Sequence, residues 1–317
     1  MQALSSAAAA LALALALATT GVQAQRLRTI DGANVQRVTN GVLSLMAYTI
    51  APDVTTSSLS ITNAASSNPS LSMTQFGGGF TVSESVPIYL EGNAAYSRYD
   101  PVYVVTDGEE HRIVPAKWNA VSATGGIGYD IGLFNSGWLL RPIFNFTLGY
   151  VASDAQLAGF LVRQKTNLDL DFLDNGKLKA YGLGGSLMLA YYDKKPERDI
   201  DFEGRYTNVH LQSYGESSDA VSGEATAESV SLWARMRVPT GLVMVQRPVR
   251  YVFELARSNY LDNNVKALGF TQLTSFGLGL EADSSAYDIW VTRWRAVLRH
   301  VVGDNVSGWS LGLAVSF

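Results

Sequence analysis

The 317-residue chain contains no cysteine. That excludes disulfides and thiolate metal sites, and it suits passage through an oxidising compartment, where stray thiols would cross-link. Histidine is scarce: His111, His210 and His300 lie in three distant segments, without the spacing of a multi-histidine metal site. Charged side chains make up only 16%, against about a quarter in an ordinary soluble domain. The net charge of −4 argues against a nucleic-acid partner. Past residue 24, no apolar run reaches the roughly 18–20 residues that a spanning helix requires. Phosphate-loop and dinucleotide fingerprints are missing too. Gly77-Gly78-Gly79 and Gly182–Gly185 fall within extended segments, not at a strand-to-helix turn, and read as points of curvature or close approach.

Hydrophobic residues nevertheless make up 47%. Past the N-terminus they are spread in short pieces that repeat every second residue. In Val306–Phe317, Trp309, Leu311, Leu313, Val315 and Phe317 alternate with Gly308, Ser310, Gly312, Ala314 and Ser316. Period two with one apolar and one small or polar face is a strand pattern. The same alternation recurs in Trp138–Tyr150, Ala180–Tyr191, Val249–Leu255 and Asp288–Arg299. Pro142 has no N–H for the ladder, so a local bulge is expected there. Read backward from Phe317, strands are expected near 306–317, 288–300, 270–281, 247–259, 224–239, 200–214, 177–193, 136–151, 116–130, 86–98, 71–83 and 54–62.

Segments of 12 or more residues exceed the 5–6 typical of sandwich strands. The pattern therefore predicts an all-β fold: a transmembrane, antiparallel, up-and-down β-barrel of about 12 strands, with a soluble secreted β protein as the alternative. The connections support the barrel. Those near 63–70, 99–115, 152–176, 215–223, 260–269 and 301–305 alternate with those near 84–85, 131–135, 194–199, 240–246 and 282–287, and the two longest, 99–115 and 152–176, both fall in the first set. Long extracellular loops and short periplasmic turns have this asymmetry. Tyr89, Tyr96, Tyr99, Trp118, Tyr129, Trp138, Tyr150, Tyr191, Trp290 and Trp309 fall near strand ends, where aromatic girdles form.

Residues 1–24 read as a cleaved signal peptide, with an apolar run from Ala7 to Ala18 and Val22-Gln23-Ala24 before the cut. An uncleaved anchor or low-complexity tail is the competing reading, because Met1–Ser6 carries no Lys or Arg. Gln25–Thr39 is taken as a short extension and 40–317 as the barrel domain. Val35, Val38, Val42, Leu45 and Met46 have roughly helical spacing. Residues 25–50 are a short helix threaded into the lumen, a periplasmic extension, or part of the first strand.

The stretches MAYTIAPDVTTSSLSI (46–61), QFGGGF (75–80), YLEGNAAYSRYDP (89–101) and WNAVSATGGIGYD (118–130) resemble the solitary outer-membrane autotransporter-like β-barrel family. The terminal Trp309, Leu311, Leu313, Val315 and Phe317 resemble the signature read by the barrel-assembly machinery. The resemblance covers about 40–317. It implies a location in the outer membrane of a Gram-negative bacterium, with outer-membrane lipid, lipopolysaccharide and the assembly machinery as partners. It supplies no activity, and Gln25–Thr39 is too short for a secreted passenger.

No enzyme is expected, and no cofactor. His210 and Ser213 are the nearest thing to the pair of a barrel lipase, but three residues apart on a strand puts them on opposite faces. Asp169, Asp171, Asp174 and Asn175 lack Ca²⁺-loop spacing and read as solvated loop. The lumen is more informative. Alternation points Arg141, Arg205, Arg235, Arg237, Arg250, Arg293, Arg295 and Arg299 inward, partly balanced by Glu91, Glu203, Glu254 and Glu281. An arginine on the lipid face near mid-bilayer costs about 2–4 kcal/mol. Such a wall makes either an anion-preferring pore or an internal Arg–Glu network filling a closed barrel. Loops 99–115 and 152–176 are the candidate surfaces for an extracellular ligand.

Overall fold

The computed structural model describes residues 28–29, 43, 46–52, 58–61, 70–100, 102–107, 110–115, 117–133, 137–153, 177–215, 223–244, 246–261, 270–284, 293–304 and 306–316. The signal-peptide reading, the Asp169–Asn175 loop, Trp290 and Phe317 lie outside them. The strands are β1 (Arg28–Thr29), β2 (Ser58–Ile61), β3 (Ser70–Thr81), β4 (Ile88–Asp100), β5 (Val102–Asp107), β6 (Glu110–Pro115), β7 (Trp118–Tyr129) and β8 (Ile131–Leu133). They continue with β9 (Trp138–Ser153), β10 (Lys177–Lys195), β11 (Arg198–Tyr214), β12 (Glu224–Met244), β13 (Arg247–Tyr260), β14 (Gln272–Asp283), β15 (Arg293–Gly303) and β16 (Val306–Ser316).

Twelve of these form one antiparallel sheet in the order β16-β15-β14-β13-β12-β11-β10-β9-β7-β4-β3-β2. Every neighbour in the sheet is a neighbour in the up-and-down sequence. The end strands β2 and β16 lie beside one another, so the sheet curls round on itself. At one end of the barrel β10 turns into β11 at Lys195–Arg198 and β12 into β13 at Met244–Arg247. The longest connections, β4 to β7 across the β5–β6 hairpin and 154–176 between β9 and β10, lie at the other end. The short-turn end is called inner below, and the long-loop end outer.

The wall chemistry follows from pleating. Along β14, Phe276, Leu278 and Leu280 are 57%, 64% and 45% exposed on the outside, while Ser275, Gly277 and Glu281 are buried on the inside. Comparable outward rows of Phe144, Phe146 and Leu148 and of Trp309, Leu311 and Leu313 continue around the barrel. A surface this apolar far exceeds what a soluble monomer exposes, and it suits hydrocarbon. The fold is a transmembrane β-barrel. Replacing Leu278 with Arg should therefore cost about 2–4 kcal/mol in urea unfolding from lipid vesicles. An effect below about 0.5 kcal/mol would place this face in water.

The structure corrects four expectations. Pro142 makes no bulge: Gly128 pairs with Ile143 and Ile131 with Leu140 in unbroken register. The β7–β8 ladder simply pauses opposite the missing N–H, and Asp130 donates its own N–H to Pro87 O at 2.8 Å. The register shift instead lies between Pro239 and Val243. Tyr89, Tyr99 and Trp118 are not girdle residues, because all three point inward and are buried. By contrast Trp138, Tyr191 and Phe202 do stack on the outer wall near the inner end, with Trp138–Tyr191 centroids 5.0 Å apart. The segment 194–199, expected as a turn, is mostly strand, which carries Asp199 into the lumen. Finally, the outer loop 99–115 contains a hairpin, β5–β6, and β1 joins it in parallel, with Arg28 opposite Tyr103 and Thr29 opposite Val104.

Polar residues at the outer ends explain the weak alternation around Asn208–Leu211. Asn208, His210 and Gln212 point outward where β11 rises beyond the apolar band. At the outer rim Thr271 and Gln272 donate side-chain hydrogen bonds to Asp304, at 2.7 and 2.6 Å. These bonds hold its carboxyl below the usual carboxylate range.

Candidate functional site in the barrel lumen

The lumen has three layers. The outer layer is apolar. Leu71, Met73, Tyr99, Trp118, Val151, Leu178, Val209, Leu211, Leu273 and Val301 form one buried cluster there. Its centre is filled by the chain's own N-terminal segment: Leu43, Met46, Tyr48 and Ile50 are 0–2% exposed. Leu43, Met46 and Ala47 have helical backbone, so of the three readings of residues 25–50, the described part corresponds to the threaded one. Specific contacts fix the segment. The Tyr48 ring lies 4.3 Å from Tyr260 and 5.0 Å from Phe270, and its hydroxyl donates to Phe270 O at 3.1 Å. Thr49 Oγ1 lies 3.0 Å from Ser122 Oγ, and Asn93 Nδ2 donates to Thr49 O. Gly149 leaves room for Met46, since a Cβ there would overlap the thioether. Each apolar side chain withdrawn from water contributes roughly 1.5–3 kcal/mol.

The middle layer is a belt of neutral hydrogen bonds around two buried ion pairs. Arg205 reaches Glu91 with both guanidinium amines, at 2.8 and 2.7 Å. Asn145 donates to Glu91 at 2.6 Å, and Ser186 lies 2.7 Å from Arg205. Thr124–Thr147 and Ser186–Thr207 continue the belt at 2.8 and 3.0 Å. Arg299 pairs with Glu254 at 2.7 Å beside it.

The inner layer is an ion-pair ladder. Asp199 meets Arg250, Arg237 and Arg293 at 2.6, 3.3 and 3.6 Å. Asp201 binds Arg235 and Arg237 at 2.6 and 3.0 Å. Glu281 binds Arg295 at 2.9 Å and lies near Arg237 and Arg293. Asp283 completes it against Arg250 and Arg293, at 3.3 and 3.7 Å. Across the lumen Arg141 pairs with Asp130 and stacks on Tyr89, and Glu203 accepts from the Tyr192 hydroxyl at 2.7 Å.

The eleven residues read as lumen-lining from alternation thus lie inside and belong to this one system: Glu91, Arg141, Glu203, Arg205, Arg235, Arg237, Arg250, Glu254, Arg293, Arg295 and Arg299. Sequence reasoning missed Asp130, Asp199, Asp201 and Asp283. Each lies in or beside a segment taken for a turn, although Asp199 and Asp201 share the inward parity of Glu203 and Arg205. With them included, the eight arginines face eight carboxylates. Of the terminal assembly signal, Trp309, Leu311 and Leu313 point outward at 63%, 56% and 68% exposure. The side chains of Val315 and Phe317 lie outside the described residues. His210 points outward with Glu224 at 3.9 Å, and the Ser213 hydroxyl accepts from the Gly223 N–H, so the structure does not bring the two together.

No family model matches the chain, and no curated protein does. Among solved structures the chain is similar to the transport unit of the autotransporter AIDA-I from Escherichia coli. The identity is 12%, the coverage 91% of this chain and 100% of that one, and the TM-score 0.46. It is also similar to the β domain of the Bordetella autotransporter BrkA (15% identity, 81% and 94% coverage, TM-score 0.44). A third likeness is LpxR from Salmonella typhimurium (10% identity, 78% and 87% coverage, TM-score 0.39). The fold assignment made above rests on strand register and wall chemistry.

Proposed function

We propose that this protein is a non-catalytic, autotransporter-like barrel of the outer membrane of a Gram-negative bacterium, closed at rest, which holds its N-terminal segment in its own lumen and presents the segment's upstream end at the cell surface. The observation that carries this reading is the path of the chain. Arg28–Thr29 pair with the outer hairpin, Leu43, Met46, Tyr48 and Ile50 occupy the outer half of the lumen, and Ser58–Ile61 join the wall. The chain therefore runs from the outer face inward before the barrel begins. On this reading the outer hairpin and the N-terminal segment together form the surface available to an extracellular ligand.

The standing-pore reading has less support. An apolar layer packs around Tyr48 across the outer lumen, where a hydrated ion would lose its water without replacement, and the arginines lower down are matched by carboxylates. The test uses the absence of native thiols. A single Arg28→Cys substitution is expected to label on intact cells with a membrane-impermeant maleimide, whereas a cysteine at Glu197, in the β10–β11 turn, labels only after the outer membrane is permeabilised. Protection of position 28 on intact cells would overturn the proposed path.

A further inference from the structure

Below the N-terminal segment lies a half-open chamber of about 700 Å³, which reaches the outward Phe76, Phe80 and Leu313 at the edges of β3 and β16 and is within the size range of small-molecule sites. Its wall is not charge-balanced in the way the lumen as a whole is. Arg141, Arg205, Arg235, Arg237, Arg293, Arg295, Arg299 and Lys194 face it, against Asp201, Glu203 and Glu254. Asp199, Glu281 and Asp283 sit behind the lining and hold the guanidinium groups from the rear. The ion pairs carry the same asymmetry. The Arg293 and Arg250 side chains are 21% and 20% exposed, while their partners Glu281 and Asp199 are 0% and 4%.

Among the described residues, two donors in this wall have no acceptor, and one buried carboxylate oxygen behind it, Glu281 Oε1, has no hydrogen-bond donor. Arg237, only 3% exposed, leaves its Nε without a hydrogen bond, and so does the buried Nε1 of Trp233, beneath the Arg235 guanidinium. A buried N–H without an acceptor costs about 1–3 kcal/mol, and both of these residues line the chamber. Among the described residues the inner ladder holds five arginines (235, 237, 250, 293, 295) and four carboxylates (199, 201, 281, 283), a surplus of one positive charge. Surplus positive charge, rigidly backed guanidinium forks and unfilled donors are what a multi-oxygen anion needs.

We propose that the inner chamber binds a small phosphate-bearing anion, with Arg237, Arg293, Arg295 and the Trp233 indole as its donors. The same chemistry belongs to a free phosphate compound and to a phospholipid head group. The experiment separates them by titrating the refolded full-length protein in detergent with inorganic pyrophosphate and with dihexanoyl phosphatidic acid. Calorimetry and tryptophan fluorescence report binding, and heat-modifiable gel migration verifies the fold of every variant. One saturable site is expected, weakened about tenfold by Arg293→Gln, as loss of a charge-assisted bond implies. Trp233→Phe keeps the ring's bulk but removes the donor, and should abolish the fluorescence change while weakening binding by a smaller factor. Binding of pyrophosphate identifies a soluble ligand class. Binding of the lipid alone identifies a head group. No saturable binding of either probe, or binding unaltered in both folded variants, overturns the site.

Discussion

The wild-type protein, refolded in a planar bilayer, is expected to be electrically silent, and a Met46→Asp/Tyr48→Asp variant is expected to conduct. The two substitutions place unpaired charge in a cluster where both native side chains are at most 2% exposed. A buried charge without a partner is costly enough to expel the segment that carries it. The ladders that run from β3 round to β16 do not use the segment, so the expulsion should leave a folded barrel with a wet lumen. Ions crossing it must pass the arginine-lined chamber, so reversal potentials in a salt gradient should indicate anion preference. Steady conductance in the wild type would mean that the segment does not seal the lumen. Cation preference in the variant would contradict the orientation of the guanidinium groups.

The second large effect concerns the middle belt. Arg205→Met should destabilise the barrel by about 3–5 kcal/mol, because it leaves the Glu91 carboxylate buried without its partner. The native pair is bidentate, buried on both sides, and tied to Asn145, Ser186 and Thr207. Arg205→Met combined with Glu91→Leu removes both charges and should recover most of that loss, since a buried ion pair is often replaceable by apolar residues at little net cost. Urea unfolding in lipid vesicles measures both. Equal destabilisation of the single and double variants would show that the pair contributes as a pair and not through the penalty of an orphaned charge. Such a result would also reassign the belt from a shape-holding network to a direct source of stability.

Much of this architecture is legible in residue order because a membrane barrel has a strict two-residue grammar. The outward Phe276, Leu278 and Leu280 and the inward Glu281 are set by pleating alone, and a wrong parity would place arginine in lipid. That penalty fixes the faces of all eight lumen arginines. Where the penalty is absent, the reading fails. Tyr and Trp are accepted both at a girdle and in a core, so parity had to decide. It was overlooked for Tyr89 and Tyr99, which share the inward parity of Glu91. Asp130, Asp199 and Asp283 were hidden because polar residues near a turn look like turn residues until the register is known. The path of Leu43 and residues 46–52 is the least legible part. Leu43, Met46, Tyr48 and Ile50 follow no single period, because the segment packs on all sides against β-strand side chains rather than along one face. Only the surrounding apolar positions of Val151, Leu211 and Leu273, which would otherwise line an aqueous lumen, hint that something covers them.

Leu43 and residues 46–50 fill the outer lumen, and a disulfide tests this placement most directly. Thr49 Oγ1 and Ser122 Oγ lie 3.0 Å apart across the gap between segment and wall, and the chain has no other thiol to interfere. A Thr49→Cys/Ser122→Cys variant exported to an oxidising compartment should form the disulfide spontaneously. After denaturation without reductant, its thiols should then resist a maleimide–polyethylene glycol reagent, and two should label once reductant is added. Two thiols reactive from the outset, in a barrel that migrates as folded, would place the segment outside the lumen and contradict the account.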